Sequence, residues 1–360
     1  MKFIELFVKK ILLNIVSFFF SPFPIKNLNL DTIKRILIIR QHDQLGDLLL
    51  TTPAIRALRK KYPNAFISIL VREYTEPVIK LNPHLNKIII FREKINRWSF
   101  KYAIKLWKDI RENYDTVILL NTISRSVSSD IISLLAKPKI ILGPNIPILR
   151  KTKNELIYNL LSENSEKHIH QINLNLEILK PLKVIPNGRE YDLILSENEI
   201  EEGNTIFKNL IGKNKKKLIG VHFGTLDISR RLPLDKLAAA INYILTKKKY
   251  LFILIVSKNE IELLNEMNKS LNTKILVAPL MPLRVFSAFI KNLDLFLCND
   301  TGTLHIASSQ RIPTLSFHAK NDPKEWKPIN KRHIALRAND HLITSITVDQ
   351  IINGIEKAAK

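Results

Sequence analysis

The sequence predicts an α/β protein in two halves, each built on a parallel sheet. Three observations carry that expectation. Short continuous apolar runs, as in strands covered on both faces, recur along the chain. Segments with helical apolar spacing separate them. The strand–helix series also starts twice, near residue 35 and near residue 218, and 360 residues leave room for two domains of about 150 residues.

The first segment stands apart from both halves. Residues 1–24 read MKFIELFVKKILLNIVSFFFSPFP, and the uncharged run after Lys10 stops at Pro22 and Pro24. That is short of the roughly 20 residues a bilayer span needs. Glu5 and the lack of a small-residue cleavage site argue against a secretory signal. Ile4, Phe7, Val8, Ile11, Ile15, Phe18 and Phe19 share one helical face, with Lys2, Glu5, Lys9, Lys10 and Asn14 opposite. The favoured reading is an amphipathic helix within residues 1–30 lying in a membrane interface; the alternative docks it on the protein's own core.

In the first half, strands are expected at 35–39, 66–71, 87–91, 116–120 and 139–142, with helices at 47–62, 100–113 and 126–135. Residues 170–182 read as one more helix. The mixed, lysine-rich stretch 183–217 reads as a linker. The second half should run strand 218–222, helix 234–246, strand 250–256, helix 260–271 and strand 274–277. Helix 283–291, strand 293–298, helix 303–309 and strand 314–317 should follow. Ligands of such halves usually bind beyond the C-terminal edges of the strands.

Composition narrows the partners. Fifty-six Lys and Arg against 33 Asp and Glu give a net charge of +23. Nucleic acid, an acidic membrane surface or phosphorylated substrates would suit that charge. The basic residues are dispersed and no nucleic-acid module is visible, which removes a specific nucleic-acid partner. The single cysteine, Cys298, excludes an intrachain disulfide and any CxxC site, and it reads as a buried, inert thiol. There is no GxxxxGK[ST], no GxGxxG after a strand, no HExxH and no DxD pair. His168 and His170 could chelate as a spaced pair, but with no third ligand nearby they read as a helix start.

Four blocks carry chemistry. In RQHDQLGDLLLTTP, residues 40–53, Gly46 permits a tight turn and Asp47 is either a helix N-cap or a carboxylate presented to substrate. In VHFGTLDISRRLP, residues 221–233, Gly224, Thr225, Arg230 and Arg231 are what a diphosphate needs, or simply a solvated basic turn. In NDTGTLHIA, residues 299–307, Asp300, Thr301 and Gly302 turn the chain into a helix whose N-terminus would attract an anion. His305 falls in that helix's first turn, where a packed core histidine is the plainer reading. In NDPKEWKP, residues 321–328, Trp326 could pack beside a ligand or close the domain.

These blocks, in this order from Arg35 to about Pro328, resemble glycosyltransferase family 9, the ADP-heptose:lipopolysaccharide heptosyltransferases. The resemblance rests on LGDLLLTTPAIRALRKKYP, SRRLP, NDTGTLHIA and DPKEWKP. It implies a GT-B fold: Rossmann-like domains at 31–185 and 186–345 facing across a cleft, binding acceptor and nucleotide sugar respectively. A C-terminal helix at 346–360 would pack back toward the first domain. It further implies Asp47 as general base, Arg230 on the donor diphosphate, and Thr225, Thr301 and Gly302 as phosphate contacts. Asp300 would contact the donor sugar and Glu260 the ribose, with His305 beside them in the donor site. No metal and no cofactor are expected.

The activity so implied is inverting heptose transfer from ADP-heptose to a lipid A–Kdo type acceptor of the lipopolysaccharide core. The partners are that nucleotide sugar, an anionic glycolipid and, peripherally, the cytoplasmic leaflet of the inner membrane. Departures from the family pattern are Arg230-Arg231-Leu232-Pro233 for Lys-x-Trp-Pro, and Phe223-Gly224 for Pro-Gly. They bear on the donor's sugar and base. The alternatives are a family member using another sugar or surface glycan, and a non-catalytic basic α/β binding protein.

Overall fold

The computed structural model describes residues 11, 15, 18, 19, 29–146, 157–163, 169–330 and 332–359. The expectation for residues 1–24 therefore lies outside the described residues, except that Ile11, Ile15, Phe18 and Phe19 are all exposed. The chain divides into two compact units, 1–190 and 191–360.

The first unit is a six-stranded parallel sheet: β1 (Arg35–Arg40), β2 (Phe66–Arg72), β3 (Lys87–Phe91), β4 (Thr116–Leu119), β5 (Ile140–Gly143) and β6 (Leu160–Leu161), in the order β3-β2-β1-β4-β5-β6. β1 lies between β2 and β4, with Ile36 opposite Ile67 and Thr116. Burial on both faces explains the unbroken RILII run: Ile36, Leu37, Ile38 and Ile39 are fully buried. Its helices are α1 (Leu45–Lys61), α2 (Phe100–Ile110), α3 (Val127–Leu135) and α4 (Gln171–Ile178).

In α1 the basic trio Arg59, Lys60 and Lys61 occupies the last turn, complementing the helix dipole. Pro53 lies inside this helix and cannot donate to the carbonyl of Leu49; the Thr52 hydroxyl donates to it instead, at 2.8 Å. His170 is the N-cap of α4, its Nδ1 accepting the Ile172 amide at 3.2 Å, and His168 lies outside the described residues.

The second unit repeats the topology. Its strands are β7 (Lys217–His222), β8 (Tyr250–Ile255), β9 (Leu276–Val277), β10 (Leu295–Asn299), β11 (Thr314–His318) and β12 (His333–Arg337), in the order β12-β11-β10-β7-β8-β9. Both sheets thus reverse strand order beside their first strand, at β1/β4 and at β7/β10. Open α/β sheets bind ligands at that switch point, beyond the strands' carboxyl ends.

Helices α5 (Glu197–Ile211), α6 (Leu234–Thr246), α7 (Ile261–Ser270), α8 (Leu283–Ile290), α9 (Gly302–Ser309), α10 (Pro323–Trp326) and α11 (Val348–Ala358) complete the unit. α11 buries Ile351 and Ile355 in the second unit's own core, against α6 and the β11–β12 edge.

The linker expected at 183–217 contains α5, fifteen residues of regular helix. Ser196 accepts the Glu199 amide and Glu199 accepts the Ser196 amide, a reciprocal cap that fixes its start. Arg284 of α8 then binds the Glu199 carboxylate at 2.6 and 2.9 Å. Gly203 lets the two helices touch: a Cβ there would lie 2.6 Å from the Ala288 Cβ and 2.8 Å from the Phe289 nitrogen.

Candidate functional site

The second unit gathers its polar residues at the β7/β10 switch point. β7 ends in His222, and the chain continues through buried Phe223 and Gly224 to an exposed loop. β10 ends in Asn299, whose side chain ties the two loops together. Its Nδ2 donates to the Phe223 carbonyl at 2.9 Å and its Oδ1 accepts the Leu232 amide at 3.0 Å. Leu232 is buried in the core.

Arg230 follows that loop. Its Nη2 binds both the backbone oxygen and Oδ2 of Asp300, each at 2.5 Å. Its Nε and Nη1 have no hydrogen-bond partner among the described residues, and the side chain is 31% exposed, so two donors remain free for a ligand. Asp300 itself is buried, and Asn321 Nδ2 also binds its Oδ2, at 2.9 Å. Burial works to raise the Asp300 carboxyl; the His318 ring, Arg230 and His305 outweigh it and hold the group below its usual range.

Behind Asp300 runs a buried polar chain. The Ser316 hydroxyl lies 2.6 Å from His318 Nε2 and 3.4 Å from His333 Nε2, and the Thr314 hydroxyl lies 2.5 Å from His333 Nδ1. Burial pushes His318 down to about 4 and His333 down to about 3, so both rings are neutral at pH 7.

Glu260 approaches the same loop from the end of β8. Its Oε2 lies 3.3 Å from His222 Nε2, while His222 Nδ1 lies 3.3 Å from the Thr303 hydroxyl. The ring thus bridges the carboxylate and the hydroxyl through its two nitrogens. Burial tends to raise Glu260, but His222 and the Ser257 amide bring it down to about 2. Gly224 makes room for this carboxylate: a Cβ there would fall 1.6 Å from Glu260 Oε1.

α9 begins beside these groups. Thr301 is its N-cap residue but makes no side-chain capping bond; its hydroxyl lies 2.9 Å from that of Thr303. The helix N-terminus is therefore open, and Gly302 presents an amide without a side chain in the way. Thr225 is half-buried, its hydroxyl 3.4 Å from the Asp227 carbonyl. His305 is buried, its Nδ1 3.2 Å from the Tyr191 hydroxyl. Trp326 closes α10, whose N-cap Asp322 accepts the Lys324 amide at 2.8 Å. Of the expected donor residues, Arg230 and Asp300 touch directly. Glu260 joins Thr301 through His222 and Thr303.

The first unit presents a second cluster, at the β1/β4 switch point. Arg40, the last residue of β1, is buried and binds Asp43 Oδ2 through Nε at 2.5 Å. Its other nitrogens reach the Leu120 carbonyl and, at 3.4 Å, the Asp47 carbonyl. Burial pushes the Asp43 carboxyl up to about 7, against the pull of Arg40 and with the Asp47 charge adding to the rise. Gln41 and His42 both meet the Ser128 hydroxyl at the start of α3, at 3.0 and 2.8 Å.

Asp47 is not the helix N-cap. Gln44 holds that position, and Asp47, three residues on, accepts the Gln44 amide at its Oδ2 at 3.1 Å. Oδ1 has no hydrogen-bond partner among the described residues, and the side chain is only half-buried. Gly46 is buried in the helix's first turn, without the positive φ that a tight turn would need. The two carboxylates of this loop are thus unlike: Asp43 is enclosed and spent on Arg40, whereas Asp47 keeps one oxygen open.

Several of these groups were not singled out from the sequence. Asn299, His222, His318 and Asn321 sit inside or beside the quoted blocks, but their roles depend on partners up to 81 residues away.

Residues 103–349 match the model of glycosyltransferase family 9 (heptosyltransferase). Lipopolysaccharide heptosyltransferase 3 of Escherichia coli is 25% identical over 314 residues, covering 82% of this chain and 87% of that one. Among solved structures, a family 9 glycosyl transferase from Veillonella parvula superposes with a TM-score of 0.76 at 19% identity, covering 91% of this chain and 97% of its own. The E. coli ADP-heptose lipopolysaccharide heptosyltransferase II gives 0.71 at 18% identity, covering 91% and 98%. These likenesses establish the GT-B α/β fold, and the match across more than half of the sequence shows that the chain belongs to glycosyltransferase family 9, the heptosyltransferases.

Proposed function

We propose that this enzyme transfers a heptose from ADP-heptose to a hydroxyl of the lipopolysaccharide core, with inversion at the anomeric carbon. Its acceptor is an anionic, membrane-embedded glycolipid. The observation that carries the reading is the pairing of unlike carboxylates around β1, with Asp47 Oδ1 open and Asp43 closed. An acceptor hydroxyl attacking the anomeric carbon must lose its proton, and Asp47 Oδ1 takes it. The leaving diphosphate gains negative charge. The free donors of Arg230 and the uncapped amides of α9 offset that charge, with the Thr225 and Thr301 hydroxyls as further phosphate contacts. A single displacement inverts the configuration.

Asp300 positions Arg230 and lies next to the donor sugar. Glu260, already ionised, accepts the ribose hydroxyls of the nucleotide. His305 supports the start of α9 from the interior. The named relatives that act on lipopolysaccharide with ADP-heptose support this choice of substrates. The charge of +23 suits work at an anionic leaflet, and among the described residues no helix is long and apolar enough to cross a membrane. We place the protein peripherally on the cytoplasmic face of the inner membrane.

A second reading keeps the reaction and changes the sugar. Burial of Leu232 removes the aromatic wall expected at that position, which favours a donor with a different sugar or base. Mass spectrometry of the lipopolysaccharide core made with and without the protein decides between them. A mass difference of one heptose supports the first reading, and a hexose difference the second.

A further inference from the structure

We propose that helix α2 and the turn before it form a membrane-contacting surface of the first unit, fitted to an anionic phospholipid leaflet. The inference deepens the glycolipid-acceptor reading and rests on it for its purpose, though not for its geometry.

The helix is two-faced in an unusual way. Leu106, Asp109 and Ile110 turn inward, while Phe100, Ile104 and Trp107 turn outward. At about 100° per residue those three outward side chains form one stripe, and Lys101, Lys105 and Lys108 form a second stripe beside it. Phe100 is 84% exposed and Trp107 48%; Ile95, in the turn Ile95–Arg97 just before the helix, is 80% exposed. Aromatic and aliphatic tips standing in solvent beside a row of lysines describe an interfacial helix.

Charge selects the occupant. The acidic groups of this region are already engaged: Glu73 with Arg97, Glu93 with Arg72, and Asp109 with both Lys87 and Lys105. Lys94, Lys101 and Lys108 make no ion pair among the described residues, so the surface is cationic as well as apolar. A leaflet of anionic lipid offers both complements at once.

Position supplies the use. The 92–99 loop leaves the C-terminal end of β3, on the edge of the sheet from which the Asp47 loop leaves β1. Arg72 joins them, binding Glu93 at 2.5 Å through Nη2 and the Asp43 carbonyl at 3.3 Å through Nη1. Docking here sets the edge that carries the proposed base against the leaflet in which a glycolipid acceptor is held.

The test uses the full chain with Trp98→Phe and Trp326→Phe, leaving Trp107 as the single tryptophan. Vesicles of phosphatidylethanolamine and phosphatidylglycerol with brominated acyl chains should quench and blue-shift Trp107, and pure phosphatidylcholine should do so far less. In the otherwise unchanged chain, replacing Lys94, Lys101 and Lys108 by Gln should weaken vesicle binding about five-fold for each lysine. Phe100→Ser with Ile104→Ser should weaken it at least ten-fold, while transfer to a water-soluble acceptor is retained. Binding that leaves Trp107 unquenched, as when residues 1–28 alone hold the membrane, overturns the proposal. So does a Phe100→Ser/Ile104→Ser chain that changes its self-association and not its vesicle binding, since the stripe then covers a second copy. Quenching of Trp107 in a protein that transfers no sugar supports the surface and contradicts the functional reading.

Discussion

Replacing Arg230 by Ala separates binding from stability in the second unit. Arg230 gives Nη2 to Asp300 and leaves Nε and Nη1 free. A charge-assisted hydrogen bond to a phosphate contributes about 1.5–3 kcal/mol, so kcat/KM for the donor should fall about 10- to 150-fold. The acceptor dependence should change little. The substitution also leaves Asp300, 6% exposed at its side chain, with Asn321 as its remaining close partner. Because Arg230 is itself part-exposed, that loss should be modest, about 1–2 kcal/mol, or roughly 2–4 °C in Tm for each kcal/mol. Adding Asp300→Asn removes the stranded charge. The double variant should recover Tm and not donor use. Steady-state kinetics with donor and acceptor varied separately, beside a thermal melt of each variant, measure both. An unchanged donor kcat/KM in Arg230→Ala would refute the assignment of its free nitrogens to phosphate.

Three further outcomes are expected. Gly224→Ala should displace the Glu260 carboxylate and weaken nucleotide binding as Glu260→Gln does, measured by calorimetry with ADP; binding equal to wild type would contradict the close approach. Gly203→Val should cost about 2 kcal/mol or more by prising α5 from α8, read from the denaturation midpoint. Acid should destabilise the second unit in two windows. His318 and His333 are held neutral at folded values of about 4 and 3, so their contribution is complete above about 6.5 and is lost as pH falls through those values. Glu199 and Glu260, held at about 2, contribute above about 4.5 and lose that contribution toward pH 2. His318→Asn should flatten the first window by up to about 1.4 kcal/mol per pH unit, and an unaltered slope would show that the ring is not buried neutral.

What could be read from the sequence was local. RILII followed by LGDLLLTTP announces a buried strand, a loop and a helix, because apolar periodicity and the basic helix end lie within one short stretch. The α9 block was legible for the same reason. Helix α5 was hidden because only Gly203 and Phe207 are buried along fifteen residues, so its apolar face is thin and its charges resemble a linker. Ser196 and Glu199, three apart, were the available signal. β12 gave little signal because its apolar run is only Ile334, Ala335 and Leu336, part-buried at the sheet edge. At the sites, residue types were legible and partners were not. Asp47 could be read as cap or base from the sequence; that Gln44 is the N-cap and that Arg40 closes over Asp43 needed the fold. The Ser316–His318–His333 chain joins two strands whose pairing no sequence spacing reveals.

The central claim is that Asp47 is the base, and Asp47→Asn beside Asp43→Asn tests it most directly. The amide keeps an oxygen for the Gln44 amide, so Asp47→Asn should melt within a few degrees of wild type and bind donor normally. Single-turnover transfer, followed by mass spectrometry of the glycosylated acceptor, should slow about 10²- to 10⁴-fold. Asp43→Asn disturbs the buried partner of Arg40, so it should lower Tm while retaining most of the transfer rate. A dead Asp43→Asn beside an active Asp47→Asn would contradict the account.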